Sequence, residues 1–233
     1  MLFGKIDYIN LLPFHIYLKK SNLSNSIKKS CEFKKSFPSN INKKFSRRLV
    51  DGAFISSVES NKKNIHALNL GIIAKKSVKS VLVKKNTSNA HDPHSATSNV
   101  LAKVLEIDGE VYIGDKALKL YLESPDEYID LAAQWYEKYQ LPFVFARLCV
   151  TKNLKIYKKI AAQFGSKKTR IPQYILKKYA NERKIPPKEI LKYLTLISYQ
   201  IGEKESNSLK IFLKKSNHFG KNPSFKKQNT QHV

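Results

Sequence analysis

Cysteine is scarce in this chain, with two residues among 233. Cys31 lies in a polar stretch and Cys149 in an apolar one, and nothing about their spacing is typical of a metal site. A disulfide framework of the kind that stabilises small secreted domains is therefore excluded. We expect both residues to be free thiols in a reducing compartment.

Long apolar runs are absent as well, since no stretch reaches the roughly eighteen residues that a membrane span requires. Lys5 and Asp7 fall where a signal peptide would have its apolar core, and no small-residue cleavage site follows. These features predict a cytoplasmic protein with no membrane partner. A length of 233 residues with 42% hydrophobic content suffices for one large domain or two small lobes.

Acidic residues are few, with 18 Asp and Glu against 43 Lys and Arg, so the formal net charge is +25. Such a charge raises the possibility of a nucleic-acid partner. The lysines, however, are scattered over every segment, without the aromatic-glycine or recognition-helix patterns of nucleic-acid-binding modules. We interpret them as a solvated surface, predict no nucleic-acid partner, and expect a basic cleft to favour an anionic substrate.

The sequence also lacks a phosphate loop, a dinucleotide fingerprint and a serine-hydrolase elbow. His91 and His94 form an H-x-x-H pattern in a loop, but no third metal ligand is evident near them. The prediction is therefore a protein that needs neither a metal nor an organic cofactor.

Two apolar, β-branched runs, 78–83 and 141–150, bracket the middle of the chain and read as buried strands. If the outer segments fold together, these runs are hinge strands that leave one lobe and return beside each other. The predicted fold is an α/β clamp with two crossing hinge strands. One lobe comprises residues 1–82 with 148–233 and the other 83–147, with a cleft at the crossing.

Asn10 ends the first predicted strand, and a helix opens near Pro13. Because ligands of open α/β sheets bind beyond the carboxyl ends of the strands, Asn10 is a candidate substrate contact. Capping of the following helix is an equally good interpretation. Ser56 and Ser57 close a later strand and can hold a carboxylate or simply cap a helix. Ser80 lies in the outgoing hinge run, where alternation does not decide whether it faces the cleft or the packing behind it.

Ser95, Thr97 and Ser98 cluster where a helix begins, so their hydroxyls and the free N–H groups predict an anion site. Gly114 and Asp115 lie between a strand and a helix. Gly114 would let the backbone approach a ligand, and Asp115 either caps the helix or contacts the ligand. Further helices are predicted at 129–139 and at about 152–164, 172–183 and 187–201, then a short one near Leu209, with a frayed tail from Ser216.

Seven segments of this sequence resemble, in the same order, the chorismate dehydratase family of the futalosine route to menaquinone. They are 4–10, 51–59, 80–83, 95–98, 113–118, 130–135 and 141–146. A departure is Ala-Ala-Gln before Trp135, where the family usually has Gly and Glu. The resemblance implies the fold of type II periplasmic solute-binding proteins, here without export.

It also implies loss of water from chorismate to give 3-[(1-carboxyvinyl)oxy]benzoate, without a cofactor. Asn10 and Ser80 would be the catalytic residues, and the substrate's own carboxylate is the proposed base, with Glu59 and His15 as alternatives. The substrate-binding residues would be Ser56, Ser57, Ser95, Thr97, Ser98, Gly114 and Asp115. We expect a monomer or weak homodimer. A non-catalytic binding protein of the same fold and a later enzyme of the same route remain alternatives.

Overall fold

A six-stranded sheet forms the larger part of the molecule in the computed structural model, which describes residues 1–25, 28–30, 34–62, 64–165 and 169–220. The strand order is β2-β1-β3-β8-β4-β9. The bounds are β1 Phe3–Lys5, β2 Lys34–Lys35, β3 Gly52–Ser56, β4 His66–Ala74, β8 Phe143–Val150 and β9 Ile197–Gln200. β1 pairs in parallel with β2 and β3, whereas β8 runs antiparallel to β3 and β4.

A second sheet of three strands, in the order β6-β5-β7, is built from the middle of the chain. Its strands are β5 Val81–Lys84, β6 Glu110–Ile113 and β7 Tyr128–Asp130, and both pairings of β5 are antiparallel. Val83 is fully buried, as expected for the central strand of a sheet covered by helices.

Helices cover both sheets. They are α1 Leu12–Lys20, α2 Pro38–Ser46, α3 Ala96–Leu105, α4 Gly114–Glu123, α5 Leu131–Tyr139, α6 Leu154–Gly165, α7 Gln173–Arg183, α8 Pro187–Leu196 and α9 Glu203–Gly220. Phe14, Phe54 and Phe164 pack edge to face at 5.0 and 5.1 Å beneath the large sheet. Trp135 donates to Ser208 Oγ at 2.9 Å and thereby ties α5 to α9.

The chain leaves the large sheet for the small one at 75–80 and returns at 140–142. The two passages meet the large sheet side by side, because Ala74 pairs with Phe143. The predicted boundaries, 82/83 and 147/148, are displaced from these positions, since β5 lies in the small sheet and all of β8 in the large one. The Asp130 carboxylate explains why the predicted strand 78–83 is interrupted at its start, because it accepts the N–H groups of Val78 and Lys79 at 2.8 and 2.7 Å. The run 78–83 is therefore a bend followed by a short strand.

Other elements differ from prediction at their ends. β1 stops at Lys5 rather than at Asn10, and β7 and β9 occupy positions that were predicted to be helical. The last helix is longer than predicted and runs through Ser216, where a frayed tail was expected. Cys31 and residues 221–233 lie outside the described residues. Across the ranges that the structure describes, no helix is both long and apolar enough to cross a membrane.

Candidate functional site

A partly open cleft with a cavity volume of about 70 Å³ lies between the two sheets. Its floor and walls combine the ends of β1, β3 and β8 with the outgoing passage and the start of α3 and α4. The lining residues are Ile6, Tyr8, Asn10, Pro38, Phe54, Ser56, Ile72, Val78, Ser80, Val81, Ser95, Ser98, Ile113, Gly114, Phe145 and Ala146. Most of them are apolar, so the few polar side chains stand out as the groups that can orient a ligand.

Asn10 lines this cleft from a single turn of 3-10 helix, Ile9–Leu11. The residue that caps α1 is Leu11, and no side chain caps this helix, so the capping interpretation of Asn10 is wrong. The backbone carbonyl of Asn10 accepts a hydrogen bond from Tyr199 Oη at 2.6 Å. Its side-chain Oδ1 is buried and has no partner within the described part of the chain. An acceptor left in this state is available to a ligand.

Ser80 also lines the cleft, at the end of the outgoing passage. The residue is 2% exposed, and its Oγ lies 2.9 Å from Tyr193 Oη. The choice between cleft and packing that alternation left open is thus resolved, because the side chain contributes to the lining and is also held from behind.

The start of α3 contributes Ser95 and Ser98 to the lining. Ser95 caps the helix by accepting from the Ser98 N–H at 3.1 Å, and its hydroxyl donates to Ser98 Oγ at 2.7 Å. Thr97, predicted to belong to the same cluster, is not among the lining residues and is 1% exposed.

Ser56 and Ser57 separate in the structure. Ser56 lines the cleft, and its Oγ accepts from Asn42 Nδ2 at 3.0 Å. Ser57 is fully buried and donates to the Val144 carbonyl at 2.6 Å, which stitches the end of β3 to β8. A turn, not a helix, follows at 57–61, so neither serine acts as the helix cap considered from the sequence.

Gly114 and Asp115 also separate. Gly114 lines the cleft with φ of +71°, and a β-carbon there would lie 2.8 Å from the Tyr8 ring, so glycine is required by both conformation and space. Asp115 points away into a different set of contacts. Its carboxylate accepts from the Ile9 N–H at 2.9 Å and from Arg183 Nε at 2.5 Å, which is neither of the two roles expected of it.

The two histidines of the H-x-x-H pattern lie beyond the rim of the cleft. The His94 ring stacks on Phe37, with ring centroids 4.4 Å apart. No group of three metal-ligating side chains occurs in the ranges that the structure describes. The alternative bases also lie elsewhere, since His15 Nε2 bonds to the Ile6 carbonyl and Glu59 pairs with Lys62.

Three side chains that support the site were not identified from sequence: Tyr193, Tyr199 and Arg183. Each lies on α7, α8 or β9, which the sequence presents as ordinary scaffold. Their hydroxyl and guanidinium groups reach Ser80, Asn10 and Asp115 over separations of 113, 189 and 68 residues. No local pattern could have revealed contacts of that length.

Solved structures with the same fold are distant in sequence. They include the protein AF1704 from Archaeoglobus fulgidus, with a TM-score of 0.67 at 11% identity, covering 94% of this chain and 97% of that one. The alkanesulfonate-binding protein SsuA from Xanthomonas axonopodis pv. citri, bound to MOPS, gives 0.54 at 10% identity, covering 94% and 92%. A Candida albicans protein described as having the generic periplasmic binding protein fold gives 0.50 at 10% identity, covering 96% and 92%. The fold is thus α/β and like that of the periplasmic binding proteins, as predicted.

Sequence similarity is more specific. A curated chorismate dehydratase from Campylobacter jejuni is 55% identical over 215 residues, which is 92% of this chain and 96% of the relative. The family described as "Menaquinone biosynthesis" matches residues 1–107 and 97–218. These two matches confirm the resemblance that the seven segments indicate, and the chain belongs to this menaquinone biosynthesis family.

Proposed function

We propose that the protein is a chorismate dehydratase, a carbon–oxygen lyase that removes water from chorismate to give 3-[(1-carboxyvinyl)oxy]benzoate for menaquinone biosynthesis. The observation that carries the proposal is the 55% identity to a chorismate dehydratase over nearly the whole of both chains. The cleft supports it independently, because its lining is mostly apolar and offers a few neutral polar groups.

The reaction needs positioning and charge stabilisation more than a strong base. The proton at ring C3 is conjugated through the ring alkene to the ring carboxylate, so its removal gives an extended enolate. Collapse of this enolate expels the C4 hydroxyl, and aromatisation of the ring supplies the driving force. A site that holds the developing charge with fixed dipoles in a dry cleft accelerates such a step.

Asn10 and Ser80 are the proposed catalytic residues. The Asn10 Oδ1 atom is buried and unpartnered among the described residues, while the Ser80 hydroxyl is held by Tyr193 Oη. In this proposal Ser80 donates to the departing C4 hydroxyl and Asn10 orients the reacting face of the ring. Ser95 and Ser98, at the positive end of α3, bind a substrate carboxylate, with Ser56 and Gly114 completing the contacts.

The proposed base is the enolpyruvyl carboxylate of the substrate itself. Among the described residues that line the cleft, Tyr8 is the single titratable one, and burial raises the pKa of its phenol. A phenol in that state does not accept a proton at neutral pH. The lack of a carboxylate or imidazole in the described lining favours a base that arrives with the substrate.

The decisive experiment mixes purified protein with chorismate and follows the product by mass and ultraviolet absorbance. Appearance of the aromatic enol ether at a catalytic rate, unchanged by a metal chelator, is the expected result. Tight binding without turnover would instead indicate a binding protein of the same fold. Turnover of a later intermediate of the route in place of chorismate would assign the chain to the related enzyme.

The proposal also covers lobe closure, cellular location and oligomeric state. The two sheets define two lobes, joined at 75–80 and 140–142, that close on the substrate. Small-angle scattering with and without a chorismate analogue measures such a closure. The cytoplasmic location and the monomeric or weakly dimeric state are tested by cell fractionation and sedimentation. Agreement of the scattering curves with and without the analogue would contradict closure.

A further inference from the structure

Tyr193 lies directly behind the two proposed catalytic residues. It belongs to α8, is 3% exposed, and is not among the residues that line the cleft. Its hydroxyl is 2.9 Å from Ser80 Oγ. The phenol thus holds Ser80 from α8, outside the cleft lining.

Either hydroxyl of this pair can donate to the other, because Ser and Tyr hydroxyls both donate and accept. When Tyr193 Oη donates, Ser80 Oγ accepts one hydrogen bond from behind and retains its own proton for the cleft.

The phenol keeps the proton that this arrangement needs. Burial is the largest influence on the pKa of Tyr193 and raises it, outweighing the hydrogen bond with Ser80, which favours the phenolate. Tyr193 therefore stays neutral over the whole range in which an enzyme is assayed. Its role is one of orientation and not of proton exchange.

We propose that Tyr193 is a positioning residue that donates to Ser80 Oγ and thereby directs the Ser80 proton into the cleft. The inference rests on the proposed dehydratase function. Without the phenol, Ser80 can rotate its proton toward the protein and present a lone pair to the departing hydroxyl. That orientation would hinder loss of water, because a leaving hydroxyl needs a donor.

Tyr193→Phe removes the oxygen and keeps the ring. We expect kcat with chorismate to fall by about tenfold to a hundredfold, with KM changed less than threefold, since the interaction matters in the transition state. The shape of the pH–rate profile should not change between pH 6 and 9. Tyr139→Phe is the matched control, because the buried Tyr139 hydroxyl has no partner in the described residues, and it should leave kcat unaltered.

A double variant separates positioning from a merely structural role. If Tyr193 acts through Ser80, adding Tyr193→Phe to Ser80→Ala should slow the enzyme less than twofold further. A folded Tyr193→Phe protein with the kcat of the wild type would overturn the inference. So would a double variant in which the separate losses in kcat multiply. A wild-type protein that does not turn over chorismate would instead overturn the proposed function. Circular dichroism and thermal midpoints check that each variant folds. If Tyr193→Phe alone does not fold, kcat is compared between the wild type and a protein with 3-fluorotyrosine at this position. That residue keeps the donor and should retain kcat.

Discussion

The guanidinium of Arg183 on α7 donates through Nε to the carboxylate of Asp115 on α4, at 2.5 Å. The pair connects a helix of the large-sheet side to a helix of the small-sheet side. Arg183 also donates to the carbonyl and carboxylate of Asp7, and Asp115 accepts from the Ile9 N–H. The turn that carries Asn10 is therefore held from both sides of the cleft by one partly buried ionic network.

Arg183→Met tests the strength of this link. It leaves the Asp115 carboxylate, which is only 14% exposed, without its cation, so we expect the free energy of unfolding to fall by about 3–5 kcal/mol. Chemical denaturation measures the change. Lys178→Met on the same helix is the control, because the Lys178–Glu182 pair is 68% and 48% exposed and should be worth at most about 1 kcal/mol. Equal losses in the two variants would contradict a special role for Arg183.

Features set by local chemistry were accessible from the sequence. The clustered hydroxyls at 95–98 predicted a helix start, and Ser95 is indeed the cap of α3, because a cap depends on residues three positions apart. Gly114 was predicted to allow a close approach to a ligand, and its positive φ of +71° fits the local turn between strand and helix. The close neighbour in the structure is Tyr8, which lies far away in the sequence and was not indicated by it.

Features set by contacts between distant segments were not accessible. The outgoing run at 78–83 looks like one strand, yet Asp130 captures two of its N–H groups across 52 and 51 residues and bends it. Asp115 has the position of a cap or ligand contact, but it binds Arg183, which is 68 residues away in the sequence. Periodicity describes which face of an element is apolar, whereas these partners depend on how the elements assemble.

Phe37 and His94 stack just beyond the rim of the cleft, next to the lining residues Pro38 and Ser95. Phe37→Ala removes a contact worth about 0.5–1.5 kcal/mol. We expect KM for chorismate to rise about two- to tenfold with little change in kcat, as measured by steady-state kinetics. Leu49→Ala is the control, since Leu49 is as exposed as Phe37, at 52%. An unchanged KM in Phe37→Ala would show that the stack does not retain substrate.

Cys149 should be inert in the folded protein. Burial raises the pKa of its thiol to about 12, so roughly one molecule in 10⁴ carries the thiolate at pH 8. In a Cys31→Ser background, iodoacetamide should label no thiol at pH 8 until the protein is unfolded. The pKa of this thiol is higher in the folded protein than in the unfolded chain. Its contribution to the free energy of unfolding is therefore complete below about pH 8.5 and is lost as the pH rises toward 12. Rapid labelling of native protein, followed by mass spectrometry, would contradict the assignment.

Asn10 offers the sharpest test of the site. The residue lines the cleft, its Oδ1 is buried without a partner in the described residues, and its side chain does not cap α1. If the amide acts in the transition state, Asn10→Ala should lower kcat about a hundredfold or more, or roughly 3 kcal/mol, with a smaller effect on binding. Asn10→Asp adds a negative charge beside a dicarboxylate, so it should raise KM as well. Steady-state kinetics with chorismate measures both.

Asn10→Ser and Asn69→Ala complete the series. Because Asn10 is not a cap, a serine at this position has no capping role to preserve, and we expect Asn10→Ser to lose activity almost as fully as Asn10→Ala. Asn69 is exposed on β4 and controls for removal of an amide elsewhere, so its alanine variant should match the wild type. A folded Asn10→Ala protein that turns chorismate over at a near wild-type rate would end the catalytic assignment of Asn10, while the family membership would still stand on its sequence similarity.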